Sequence, residues 1–150
     1  MLTDGRLYFG ARGETLKVFH ARDGHGLKLL MGSGVKVAAI SGRRSAAVTA
    51  RMRELGIRDV VQGCSDKVAA FERLLAKHGL EARQCACLVD DTVDLPLLSA
   101  VGFAGAVADA HPVTIAAAHW VAQLPGGHGA VRELCDALLR ARARHRGKAG

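Results

Sequence analysis

Aromatic residues are scarce in this 150-residue chain: four Phe, one Trp and one Tyr leave little surface on which nucleic-acid bases could stack. Cysteine is sparse as well. Cys64, Cys85, Cys87 and Cys135 form no C-x-x-C pair, and two of them lie inside an apolar run, which argues against structural zinc and against a disulfide framework. The expectation is a reducing, cytoplasmic setting. No apolar stretch reaches the length of a membrane span, and the opening MLTDGRLYFG has neither the basic flank nor the apolar core of a signal peptide. Acidic residues are absent from the end of the chain, where Arg140, Arg142, Arg144, Arg146 and Lys148 contribute five positive charges to a formal net charge of +7. The basicity is therefore local. It reads as a solvated end rather than a nucleic-acid surface, and 147–150 are expected to be disordered.

The length and a hydrophobic content of 49% suit one domain with one core, expected over 1–146. Leu7 to Phe9 and Thr15 to His20 read as a β-hairpin, about 7–20, around Gly10-Ala-Arg-Gly13. His20-Ala-Arg-Asp-Gly24 breaks that pattern and leads into a helix carrying Leu27, Leu30 and Met31. Val35 to Ile40, Asp59 to Val61, Cys85 to Val89, Phe103 to Val107 and His119 to Ala122 are strand-like. Between them lie helical stretches with Val48, Met52 and Leu55, then Phe71, Leu74 and Leu75, then Leu95 to Ala100. A last helix carries Val131, Leu134, Cys135, Leu138 and Leu139. Strands alternating with helices predict an α/β fold, a three-layer parallel sheet.

The chemistry gathers where these strands end. Asp90, Asp91 and Asp94 follow the apolar run Cys85 to Val89, and carboxylates at the carboxyl end of a buried parallel strand are where open α/β sheets place their sites. Two adjacent carboxylates and a third nearby suit a hard cation such as Mg²⁺, although Asp also serves simply to cap a following helix. Ser41 follows another buried strand and precedes Gly42 and Arg43, so a hydroxyl, backbone N–H groups and a guanidinium suit a phosphate there; Ser-Gly is also ordinary turn chemistry. Lys67 begins a helix after Gly63-Cys-Ser-Asp66, a position that the helix dipole disfavours for a cation. The seven histidines are too scattered to propose a metal set, and His111-Pro112 opens a helix.

The order of these pieces, TDGRLYFGARGETLKVFHARDGHGL, AAISGR, GCSDK, LVDDTVDLP, VADAHP and GGHGAVRELC, closely resembles the 3-deoxy-D-manno-octulosonate 8-phosphate phosphatases of the haloacid dehalogenase superfamily. The resemblance covers nearly the whole chain. It implies a Rossmann-like domain without a large cap, and a protruding β-hairpin that helps build a homotetramer. It further implies a Mg²⁺-dependent aspartyl-phosphate mechanism acting on a sugar phosphate in lipopolysaccharide biosynthesis. By the same resemblance, Ser41 holds the transferring phosphoryl group, Lys67 neutralises its charge, and Asp90 binds Mg²⁺. Asp91 and Asp94 match the acids that orient the metal's water and the lysine, which makes Asp90 and Asp91 the metal pair. His20, Ala21, Arg22, Asp23, Gly24, Lys28, Arg43 and Arg51 fall on substrate-contacting positions, with Lys67 beside them. No nucleic-acid or membrane partner is implied.

The chain departs from the family pattern at its start. The family opens with a buried strand ending in Asp-x-Asp-Gly, whose first Asp is nucleophile and metal ligand and whose second is general acid and base. This sequence begins just after both, and Asp4 belongs to the turn into the hairpin. Two expectations follow. Met1 is an internal methionine of a longer, active phosphatase, or else the chain is a non-catalytic tetramerisation module like domains fused to sugar-nucleotide synthetases; in either case these 150 residues alone are inactive. Without that first strand, a slot is expected between the strands ending at Ile40 and Val89, with unpaired backbone groups on each side. Smaller departures are Val89 where Gly is usual, Lys28 where Arg is common, and His128 where the Gly-rich loop often carries Arg.

Overall fold

The computed structural model describes residues 1–11 and 13–146, and in it strands and helices alternate along the chain. An antiparallel hairpin of β1 (Tyr8–Gly10) and β2 (Gly13–Leu16) comes first. It is followed by α1 (Ala21–Gly32), β3 (Ala38–Ser41), α2 (Ala46–Leu55), β4 (Asp59–Gln62), α3 (Lys67–His78) and β5 (Ala86–Val89). The chain then forms α4 (Leu95–Ala100), β6 (Phe103–Ala106), α5 (Pro112–Ala117), β7 (Trp120–Val121) and α6 (Ala130–Arg146). The basic residues 147–150 lie outside the described residues.

The α/β class is as expected, and every pairing after the hairpin is parallel, with helices as the crossovers between strands. The registers align the strand ends: Ser41 lies opposite Gln62, and Val89 opposite Ala106. The strands form two ladders, β3–β4 and β5–β6–β7, and neither β3 nor β5 has a second neighbour among the described residues. Burial follows this division. Ala104 and Ala106 on β6 are fully buried, whereas Ala38 and Ala86, which open β3 and β5, are exposed and Ile40 is only half-buried. Apolar clusters nevertheless join the two ladders: Ile40 packs with Phe71, Val89 and Leu98, and Leu88 packs with Met52 and Ile57.

Several boundaries differ from the sequence reading. β2 ends at Leu16 rather than His20, because β1 offers only three residues to pair with. The strand expected from Val35 begins at Ala38, since β4 provides partners only from Asp59 onward. α1 starts at Ala21, so Arg22, Asp23 and Gly24 form its first turn rather than a break. His20 caps that turn, its Nδ1 accepting from the Arg22 N–H. Glycine inside α1 weakens it locally but permits close packing. A Cβ at Gly24 would lie 2.4 Å from the Arg51 guanidinium, and one at Gly26 would lie 2.8 Å from Arg132 Cδ. This approach brings Leu27 and Leu30 of α1 into one cluster with Met52, Leu55, Val131 and Cys135, each large apolar side chain contributing about 1.5–3 kcal/mol on burial. Asp66 caps α3 by accepting from the Ala69 N–H, and Gly79, in the left-handed conformation, ends it.

Candidate active site

The loops after β3, β4, β5 and β6 leave from one edge of the parallel ladders and carry the motifs with them. The first two loops are stitched together. Cys64 N–H donates to the Ser41 carbonyl (3.1 Å), Gly63 N–H to the Arg43 carbonyl (3.3 Å), and Ser45 N–H to Gln62 Oε1 (2.8 Å). Gly63 is at φ +68°, and a Cβ there would meet Arg44 Nε at 2.3 Å, so glycine suits this position on both counts. Within the β3 loop the Ser41 hydroxyl accepts from the Arg43 N–H (3.2 Å), while Gly42, Arg43 and Arg44 face solvent. This leaves a hydroxyl and guanidinium groups on an open turn, an arrangement able to receive an anion.

The other half of the site is more enclosed. Lys67, the first residue of α3, donates through Nζ to Asp94 Oδ1; Asp94 is buried, and the lysine side chain is only 17% exposed. Their pairing explains a lysine in a first turn: a buried carboxylate outweighs the dipole that disfavours it. Asp91 caps the short turn Thr92–Asp94 by accepting from the Thr92 N–H (2.7 Å). The Asp90 carbonyl accepts from the His111 N–H (2.9 Å), which ties the β5 and β6 loops together. Its carboxylate points outward, 43% exposed, and Oδ2 lies 3.0 Å from the ammonium of Met1.

Among the described residues no three His, Cys, Asp or Glu side chains converge as a metal cluster. A cation at Asp90 would therefore be held by this chain through one or two carboxylates, Asp90 with Asp91 beside it. Mg²⁺ accepts such an arrangement, keeping several waters, whereas Zn²⁺ and Ca²⁺ require fuller protein shells.

Ser41, Arg43, Lys67, Asp90, Asp91 and Asp94 are thus carried on adjoining loops at this edge. The other residues singled out in the sequence are placed differently. His20, Ala21 and Arg22 begin α1, and Lys28 is exposed on that helix. Asp23 is turned inward, 1% exposed: its Oδ1 accepts from the Arg132 N–H (2.8 Å) near the start of α6, and Oδ2 has no partner. The positive end of α6 offsets the cost of this buried carboxylate. Arg51 lies over Gly24 and pairs with Glu54 at 2.8 Å.

The sequence reading overlooked the carboxylates that shape the Gly-rich loop. Asp109 Oδ1 accepts from the Gly126 N–H (2.8 Å), and Glu133 accepts from the N–H groups of Gln123 and Leu124. Gly127 N–H donates to the Met1 carbonyl (2.7 Å), which places this loop beside the segment that reaches Asp90. Asp109 sits in VADAHP, one of the pieces that carry the family resemblance, and that was the only signal available. The cysteines stand apart from this chemistry: burial pushes Cys87 and Cys135 up to about 11, so both thiols are neutral at ordinary pH.

Comparison with known proteins identifies the fold and the family. Residues 50–134 match the haloacid dehalogenase-like hydrolase family. The chain is 43% identical over 150 residues to the 3-deoxy-D-manno-octulosonate 8-phosphate phosphatase of Yersinia pestis, covering 100% of this chain and 80% of that relative. The crystal structure of the Yersinia pestis enzyme superposes with a TM-score of 0.93 at 44% identity, covering 97% of this chain and 79% of that one. The enzyme from Moraxella catarrhalis, solved with magnesium ion, phosphate ion and a KDO molecule, superposes with a TM-score of 0.91 at 39% identity, covering 94% of this chain and 81% of that one.

Proposed function

Because the chain belongs to the 3-deoxy-D-manno-octulosonate 8-phosphate phosphatases, a family of haloacid dehalogenase-like hydrolases, we propose that it hydrolyses this sugar phosphate to the free sugar acid and phosphate in lipopolysaccharide biosynthesis. The reaction is Mg²⁺-dependent, and the working form is a cytoplasmic homotetramer that also carries the Asp-x-Asp-Gly strand N-terminal to Met1. The observation that carries this reading is the pair of Lys67 with buried Asp94, close in the chain to the outward carboxylate of Asp90, with Ser41 at the end of β3, whose loop is hydrogen-bonded to the β4 loop that leads to Lys67.

Phosphoryl transfer asks little of a protein beyond an in-line nucleophile and fixed positive groups around the equatorial oxygens. Ser41 donates its hydroxyl hydrogen to one phosphoryl oxygen, and Lys67 neutralises charge on another while Asp94 holds its ammonium in place. Asp90 and Asp91 would hold Mg²⁺, which when bound adds further positive charge at the phosphoryl group. Arg43, exposed on the turn after β3, faces the sugar acid. On this reading the first carboxylate of the N-terminal motif takes the phosphoryl group as the P–O bond to the sugar breaks and the sugar oxygen receives a proton from the second Asp. Water, giving its proton back to that Asp, then cleaves the aspartyl-phosphate bond to release orthophosphate.

The test is phosphate release by protein extended to include Asp-x-Asp-Gly, with Mg²⁺ and with the metal chelated. Turnover that requires the metal and falls by orders of magnitude in Lys67→Ala is the expected result. An extended protein that leaves the sugar phosphate intact would sink the reading. The 150-residue chain is expected to be inactive in the same assay.

A further inference from the structure

A two-stranded hairpin is marginal in water by itself, so what fixes its direction matters. The hairpin β1–β2 exposes Phe9 and Leu16 and buries little of itself. Among the described residues, every hydrogen bond and ion pair from Tyr8–Leu16 to the body of the domain passes through one side chain, Glu14 of β2. Its Oε1 accepts from the Ser45 hydroxyl (2.7 Å), and its Oε2 lies 3.9 Å from Arg43 Nη2. Lys17, at 3.0 Å from Oε2, backs it from the hairpin's own end. The Glu14 side chain is only 17% exposed although its strand projects into solvent, and the Ser45 hydroxyl and Lys17 hold its carboxyl below the usual carboxylate range. Ser45 is itself unusual. It occupies the N-cap of α2 yet makes no capping bond with its side chain, because that hydroxyl is turned to Glu14. The carboxylate therefore joins the hairpin to Arg43 within the turn after β3 and to Ser45 at the end of that turn.

We propose that Glu14 is a positioning residue for the anion-binding turn, holding Arg43 by charge and Ser45 by a hydrogen bond before the sugar phosphate arrives. This rests on the phosphatase reading. It makes the direction of the hairpin and the placement of Arg43 one coupled variable, so that anything seated on the hairpin bears on substrate affinity.

The experiment is a double-mutant cycle of Glu14→Ala and Arg43→Ala in the extended protein. Glu14→Ala is expected to raise KM roughly tenfold while kcat stays within about twofold, as loss of a hydrogen bond to a charged group would. In the Arg43→Ala background the same change should have almost no further effect. Glu14→Gln keeps an acceptor for Ser45 and removes the charge, so its KM should fall between wild type and Glu14→Ala; it also serves if the alanine variant does not fold. Additive effects in the cycle, or a loss confined to kcat, would overturn the proposal. If the extended wild type does not act on the sugar phosphate, the phosphatase reading fails, and the same cycle is read as orthophosphate affinity by calorimetry. Coupling there still supports Glu14's role; additivity, or no orthophosphate binding at all, overturns it.

Discussion

The two ladders hold their shares of the site by opposite means. On the β5 side Val89 and Asp94 are buried, Asp94 is locked to Lys67, and Phe71, Leu97, Leu98 and Ala104 pack around the strand end. On the β3 side Gly42, Arg43 and Arg44 face solvent, and their turn is fixed by hydrogen bonds from the β4 loop and by Glu14. Charges that must stay in fixed opposition are taken into a packed wall, where a pair in good geometry is rigid. Groups that on the proposed reading receive an anion are left hydrated on a turn, where little desolvation precedes the ligand.

The contrast is broken most directly by comparing losses of activity across the two sides. In the extended protein Lys67→Ala or Asp90→Asn is expected to lower kcat by about 10²–10³ or more, since on the proposed reading Lys67 neutralises the transferring charge and Asp90 would hold the metal. Arg43→Ala should cost only roughly tenfold, mostly in KM. Equal losses would erase the distinction. Stability sharpens it next: Asp94→Ala strands a mostly buried ammonium and is expected to cost about 3 kcal/mol in urea unfolding, whereas Ser41→Ala should stay within about 1 kcal/mol.

A smaller effect is expected behind the site. Asp23→Ala removes the acceptor at the start of α6 and should cost about 1–2 kcal/mol, with faster hydrogen exchange at the Arg132 amide. The smallest is a pH effect at the far end of β4. The hydrogen bond from Lys77, helped by His78, holds the Asp59 carboxyl below the usual carboxylate range. A lowered folded value means that the stability Asp59 contributes is complete above the ordinary carboxylate value and is lost as pH falls through the lowered one. Asp59→Asn should therefore flatten the acid limb of a stability curve below about pH 4 and leave the neutral region little changed in slope.

Local chemistry made much of the site visible in advance. Asp90 to Asp94 after an apolar run, Ser41-Gly-Arg43 after another, and Lys67 behind an Asp N-cap are features of neighbouring residues, and strand-end loops carry them wherever the strands go. Asp23 was less legible. Asp-Gly reads as a turn because that dipeptide favours one, but Gly24 instead gives room to Arg51, a residue 27 positions away in sequence whose approach nothing local announces. Nothing local singles out Glu14, Asp109 or Glu133; each acquires its role from a partner on another element.

Sequence by itself determined the α/β alternation, the helix that begins at Lys67 behind Asp66, and which residues stand at strand ends, because propensity and periodicity act over a few residues. Tertiary structure alone decided that Asp23 turns to the start of α6, that Gly24 admits Arg51, and that one hairpin carboxylate reaches the turn after β3. Such contacts are selected by packing and by the cost of leaving a buried polar group unpaired, and those energies exist only once distant segments have been brought together.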